Sequence, residues 1–268
     1  MRIRIGYDIA FSSPAATPTI LLLSVHPSRL NDLTEPHRMT FDPAIPSQTY
    51  TDHFGNTCTR IVMPPGILAV SSNNVVCDSG LPDAVEPDAG QIPVEILPDE
   101  ALEFLLASRY CETDRLSDTA WSLFGRAPPG WPRVQAICDY VHDRLTFSYP
   151  DARSTRTACD GHQEGLGVCR DFAHLAIALC RCMNIPARYC TGYLGDIGVP
   201  PVPDPMDFSA WFEVLLEGGW YTFDARHNQP RIGRILIARG RDAADVALST
   251  SFGPTQLPEF KVITEEQP

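Results

Sequence analysis

Residues 165–174 read Gly165-Leu166-Gly167-Val168-Cys169-Arg170-Asp171-Phe172-Ala173-His174, and this stretch decides how the rest of the chain is read. From Cys169 to about Met183 the apolar residues recur at helical spacing, with Phe172, Leu175, Ala176 and Leu179 on one face. The spacing predicts a helix that begins at the cysteine. A helix start leaves backbone N–H groups unpaired and carries partial positive charge, both of which favour a thiolate. The glycines just upstream let the backbone come close, so that nearby N–H groups can form an oxyanion hole. Arg170 adds positive charge and Asp171 works against it. The chain has nine cysteines. The other eight fall in predicted strands, helix interiors or loops; Cys180 and Cys182 lack the further ligands a structural zinc needs and read as core filling.

Downstream, strands are expected at 187–193, 209–216 and 219–224. The segment Ser209-Ala210-Trp211-Phe212-Glu213-Val214, then Glu217-Gly218-Gly219, then Trp220-Tyr221-Thr222-Phe223-Asp224 reads as a β-hairpin ending in an aspartate. Such an aspartate caps a strand end or orients an imidazole, as the third member of a nucleophile–base–orienter set.

Taken together, Gly167–His174, Asn184-Ile185-Pro186-Ala187-Arg188-Tyr189, Thr191-Gly192-Tyr193 and the hairpin at 209–224 resemble the core of the bacterial transglutaminase-like superfamily. The resemblance implies an α+β fold: a papain-related core preceded by a small antiparallel β-sandwich. It implies a cysteine that attacks an amide or ester carbonyl, a strand histidine as base and an aspartate that orients it. Cys169 matches the nucleophile and Asp224 the orienter. The base does not match: the family's His-Ala-Trp triplet reads Ser209-Ala210-Trp211 here, and a serine hydroxyl is no substitute for imidazole near neutral pH. Trp211 and Arg226 are expected to contact substrate, Arg226 through a carboxylate.

Either the base position is empty, to be filled by Ser209→His, or another histidine serves. His174 lies five residues after Cys169, about 140° around the helix, and points elsewhere. His162 sits in a loop before the nucleophile. His227 depends on the hairpin register. A three-residue loop 217–219 sets Ser209 opposite His227; a two-residue Gly218-Gly219 loop turns His227 to the other face. The family pattern implies a third register, with position 209 beside Asp224.

Upstream of the core, Ile3, Ile5, Tyr7, Ile9 and Phe11 alternate with polar residues, which predicts a strand over 2–11. Short strands at 19–26, 57–63, 67–71 and 74–77 follow, separated by turn residues. The expected organisation is a β-sandwich at 1–80, an acidic Pro-rich linker at 81–98 and the core at 99–268. From Asp78 to Glu100 there are acidic residues and four prolines but no Lys or Arg, so the linker is expected to run extended and solvated. Helices are predicted at 99–108, 114–124 and 132–146. Lys plus Arg total 21 against 33 for Asp plus Glu, giving a net charge of −12, which argues against nucleic-acid partners. No apolar run is long enough to span a membrane, and the odd, scattered cysteines fit reduced thiols. Composition points to a cytoplasmic protein, and the resemblance implies a thiol-dependent enzyme acting on an amide bond of a peptide or small amide, with no metal and no cofactor required. A non-catalytic binding or scaffold protein that keeps the fold is the alternative.

Overall fold

A computed structural model of the chain describes residues 1–201 and 206–268. The amino-terminal strands are β1 (Arg2–Ser13), β2 (Thr17–Leu21), β3 (Thr40–Asp42), β4 (Ser47–Thr51), β5 (Thr57–Met63) and β6 (Gly66–Cys77). The helical part holds α1 (Asp99–Leu102), α2 (Thr113–Phe124), α3 (Trp131–Arg144), β7 (Thr146–Phe147), α4 (Ala158–Glu164), β8 (Leu166–Gly167) and α5 (Cys169–Cys182). The carboxy-terminal strands are β9 (Ala187–Tyr193), β10 (Ser209–Leu216), β11 (Gly219–Phe223), β12 (Ile235–Gly240), β13 (Ser249–Ser251) and β14 (Gln256–Gln267).

Three four-stranded antiparallel sheets result, in the orders β14-β1-β6-β3, β13-β2-β5-β4 and β11-β10-β9-β12. The alternation in β1 buries Ile3, Ile5, Tyr7, Ile9 and Phe11 in a cluster with Leu21, Ile61, Met63, Leu68 and Val70. That apolar face is what joins the first two sheets. The third sheet carries α5, which is buried from Asp171 to Cys182 and packs against β9 and β10. This is the α+β architecture expected.

Four local expectations are corrected. β6 runs unbroken from Gly66 to Cys77, with no turn at Ser72-Asn73. Ser72 and Asn74 point inward and hydrogen-bond each other at 3.1 Å, so polar residues occupy buried positions without ending the strand. Residues 158–164 form α4 rather than a loop; Thr157 caps it and Asp160 reciprocates. The last two strands leave the core: β13 pairs with β2 and β14 with β1. The acidic stretch is exposed over most of its length, as expected, but it is docked at points rather than standing free. Pro82 bridges Ile232, the Asp83 N–H donates to Arg231 O at 2.9 Å, and Gly90 O accepts the Glu217 N–H at 2.9 Å.

Candidate active site

Cys169 is the first residue of α5 and half-buried. Its position is fixed by the turn before it. A side chain at Gly167 would put a Cβ within 2.7 Å of Asp171 Cβ, so glycine is required there. Asp171 accepts the Val168 N–H at 3.0 Å and is held by Arg156 at 3.2 Å and Arg170 at 3.1 Å. Arg170 is therefore committed to the helix cap.

The helix-start expectation of a lowered thiol is corrected. Burial pushes the Cys169 thiol up to about 11, because its surroundings disfavour the charged form. Arg226 pulls the other way, Asp207 pushes up, and a hydrogen bond from the Ala210 backbone pulls down. That bond sets β10 beside the sulfur.

The hairpin adopts neither register derived from its loop. Leu216 opposes Gly219 and Phe212 opposes Phe223, so the loop is Glu217-Gly218, with Gly218 at φ +94°. Pairing ends at Phe223, and the chain turns at once: the Asn228 N–H donates to Asp224 O at 2.7 Å. His227 thus reaches Asp224 through a turn, not across a sheet. Its Nδ1–H donates to Asp224 Oδ2 at 2.8 Å. Asp224 Oδ1 accepts the backbone N–H groups of Arg226 and His227 at 3.0 and 3.1 Å.

Asp224 is buried, which alone would raise its pKa. Arg234, whose Nη2 donates to Oδ2 at 2.9 Å, and His227 together overcome burial and hold the carboxyl well below the usual range. Arg234 is shared with Asp83 of the acidic stretch, at 2.9 Å. The turn is also stapled to α3: Asn228 Nδ2 donates to Asp139 at 2.8 Å, Gln135 donates to Asn228 Oδ1 at 3.0 Å, and His142 Nδ1–H donates to Arg226 O at 3.0 Å. Asp83, Gln135, Asp139, His142 and Asn228 had no role in the sequence reading. Only the left-handed φ of Asn228, +49°, has a sequence correlate, since Asn tolerates that region.

Ser209 opens β10 and is buried, and among the described residues its Oγ has no hydrogen-bond partner. It lies on the wall of two cavities. One also contains Cys169; the other also contains His227, Arg226 and Tyr149; both include Asp207 and Phe208. Arg226 stacks on Phe147 at 3.8 Å and makes no ion pair among the described residues. Trp211, expected to contact substrate, is corrected: it is buried against Cys190 and Leu236, with the Arg234 guanidinium 5.1 Å from its ring centre. Alternation along β10 turns it away from α5, the side that Ala210 and Phe212 face. His174 is fully buried and accepts the Ala243 N–H at 3.1 Å, while His162 pairs with the Tyr140 hydroxyl at 2.7 Å.

Residues 119–225 match the transglutaminase-like superfamily core. The chain is 31% identical over 235 residues to an uncharacterised protein of Mycobacterium bovis, covering 78% of this chain and 73% of that one. An uncharacterised protein of Mycobacterium leprae is 26% identical over 221 residues, covering 79% and 77%. The crystal structure of a candidate cysteine protease from Cytophaga hutchinsonii superposes with a TM-score of 0.86 at 29% identity, covering 99% of this chain and 90% of that one.

Proposed function

The chain belongs to the transglutaminase-like superfamily, and on that premise we propose that it cleaves or transfers acyl groups at an amide bond of a peptide or small amide, with His227 as the base. The carrying observation is the Asp224–His227 hydrogen bond at 2.8 Å. It reproduces the orienter–imidazole pair of acyl-transfer sites in a chain whose β10 offers serine where the family has histidine. The likeness to the candidate cysteine protease supports thiol chemistry in general. The choice of base rests on the site alone.

Asp224 accepts from Nδ1, so the neutral imidazole carries its free lone pair on Nε2. With the thiol pushed up to about 11, Cys169 is protonated at neutral pH. In the proposed reaction its proton passes to Nε2 as Sγ bonds to the carbonyl carbon. The tetrahedral intermediate collapses, the C–N bond breaks, and the imidazolium gives its proton to the departing amine. Water or a second amine then attacks the thioester, loses a proton to Nε2, and Cys169 leaves as the thiol. Asp224 stabilises the imidazolium in both halves without taking a proton, as its depressed pKa requires. Ser209 would leave room beside the nucleophile rather than act on it.

The test is acyl-enzyme trapping. Incubation with p-nitrophenyl acetate followed by acid quench and intact-mass measurement is expected to show one acetyl group, mapped to Cys169 and absent from Cys169→Ala. Acetyl release that is unaffected by Cys169→Ala would contradict thiol-dependent chemistry.

A further inference from the structure

The cavity that holds Cys169 measures about 560 Å³, and one wall comes from neither α5 nor the core sheet. Val246 and Leu248, just before β13, and Leu257 and Phe260 of β14 face it. Leu257 and Phe260 are 51% and 39% exposed although they are large and apolar. Their joint placement is the work of a register shift. Phe260 opposes Ile9 and Glu259 opposes Ala10, whereas Gln256 opposes Ser12 rather than the Ser13 of simple continuation, so one extra residue is accommodated between Gln256 and Glu259. Leu257 and Phe260 differ in parity and would otherwise face opposite sides of β14. The bulge puts both on the side of Ile9 and Phe11, where the apolar face of the first sheet continues past its own core and over the thiol. Phe260 is braced from below by Phe208, at 5.8 Å between rings, the residue next to Ser209.

The two cavities divide the reaction. The departing amine must receive its proton from His227 and so belongs in the cavity with Arg226 and Tyr149. The acyl portion belongs in the other, with Cys169. Resting on the acyl-transfer reading above, we infer that Leu257 and Phe260 determine specificity: they select substrates whose acyl portion carries a bulky apolar side chain beside the scissile carbonyl. An apolar group seated there removes two exposed hydrophobes from water, whereas an acidic one is desolvated against them; the cavity's arginines, Arg153 and Arg170, lie off that wall and are already paired with Asp160 and Glu164 and with Asp171.

Alkylation reads this preference without requiring turnover. In a Cys77→Ser background, which removes the exposed thiol, Cys169 is treated with N-acetyl-leucyl or N-acetyl-aspartyl chloromethyl ketone. The sulfur displaces chloride in either case, and peptide mass mapping gives the rate at Cys169. The leucyl probe is expected to react at least about tenfold faster, the scale set by burying one aliphatic side chain. Leu257→Ser and Phe260→Ser are each expected to bring that ratio toward one; Leu257, at the exposed end of β14, guards against a folding defect in the Phe260 variant. Equal rates in the parent protein, or a preference that survives both substitutions, would overturn the inference. Because the probes need only the thiol, a failed base assignment at His227 leaves this result readable.

Discussion

Arg234 donates from Nε to Asp83, 151 residues earlier in the chain, at 2.9 Å. Its Nη2 donates to Asp224 at the same distance, and Asp224 holds His227. A carboxylate from the acidic stretch therefore stands at the far end of a chain of charges, Asp83–Arg234–Asp224–His227. Arg234 is buried, and one guanidinium between two carboxylates leaves Asp224 with more of its negative charge to offer the imidazolium.

Asp83→Asn is accordingly expected to lower kcat on an activated ester on the order of tenfold, the scale at which supporting hydrogen-bond partners act. KM should stay unchanged, and Asp83→Glu should restore part of the loss. A loss confined to thermal stability, with kcat intact, would reduce Asp83 to a tether for residues 81–98.

Asp224→Asn removes the centre of the chain. Breaking a buried ion pair from one side typically costs about 3–5 kcal/mol, and the low end is expected here because Arg234 retains Asp83. The pH dependence has a definite sign. The folded-state pKa lies below the ordinary carboxylate value of about 3.9, so the stabilisation is fully present above that value and fades as pH falls through the depressed one. Urea midpoints of wild type and Asp224→Asn should differ at pH 6 and converge in strong acid. A gap that widens on acidification would contradict the charge assignment.

Cys169 gives a second pH signature. With the thiol pushed up to about 11, iodoacetamide alkylation should climb roughly tenfold per pH unit between pH 7 and 10, following the thiolate fraction. A plateau below pH 8 would reveal a preformed thiolate–imidazolium pair. Of the remaining cysteines only Cys77 is exposed, so it alone should compete for the reagent.

Much of this fold is written locally. The helix at Cys169, the alternation in β1 and the strands at 187–193 and 209–216 follow from spacing, and the structure places them at Cys169–Cys182, Arg2–Ser13, Ala187–Tyr193 and Ser209–Leu216. What spacing cannot carry is pairing between distant segments. The return of β14 to β1 and the docking of Asp83 on Arg234 are tertiary contacts with no local signature. The hairpin shows why register was not legible: Gly218 and Gly219 both tolerate positive φ, so composition admits several loops, and the structure selects Glu217-Gly218. The thiol escapes a local reading for a related reason. A helix start is visible in sequence, but the burial that pushes the thiol up depends on tertiary packing around the sulfur.

The most direct measurement compares steady-state hydrolysis of p-nitrophenyl acetate by wild type, His227→Ala and Ser209→His/His227→Ala. General-base catalysis contributes about 10²–10⁴-fold, so His227→Ala should lower kcat by that range while leaving acetylation of Cys169 detectable by mass. The double variant should recover part of the rate by returning an imidazole to β10. Wild-type turnover in His227→Ala would contradict the account, because the imidazole held by Asp224 would then have no part in the reaction.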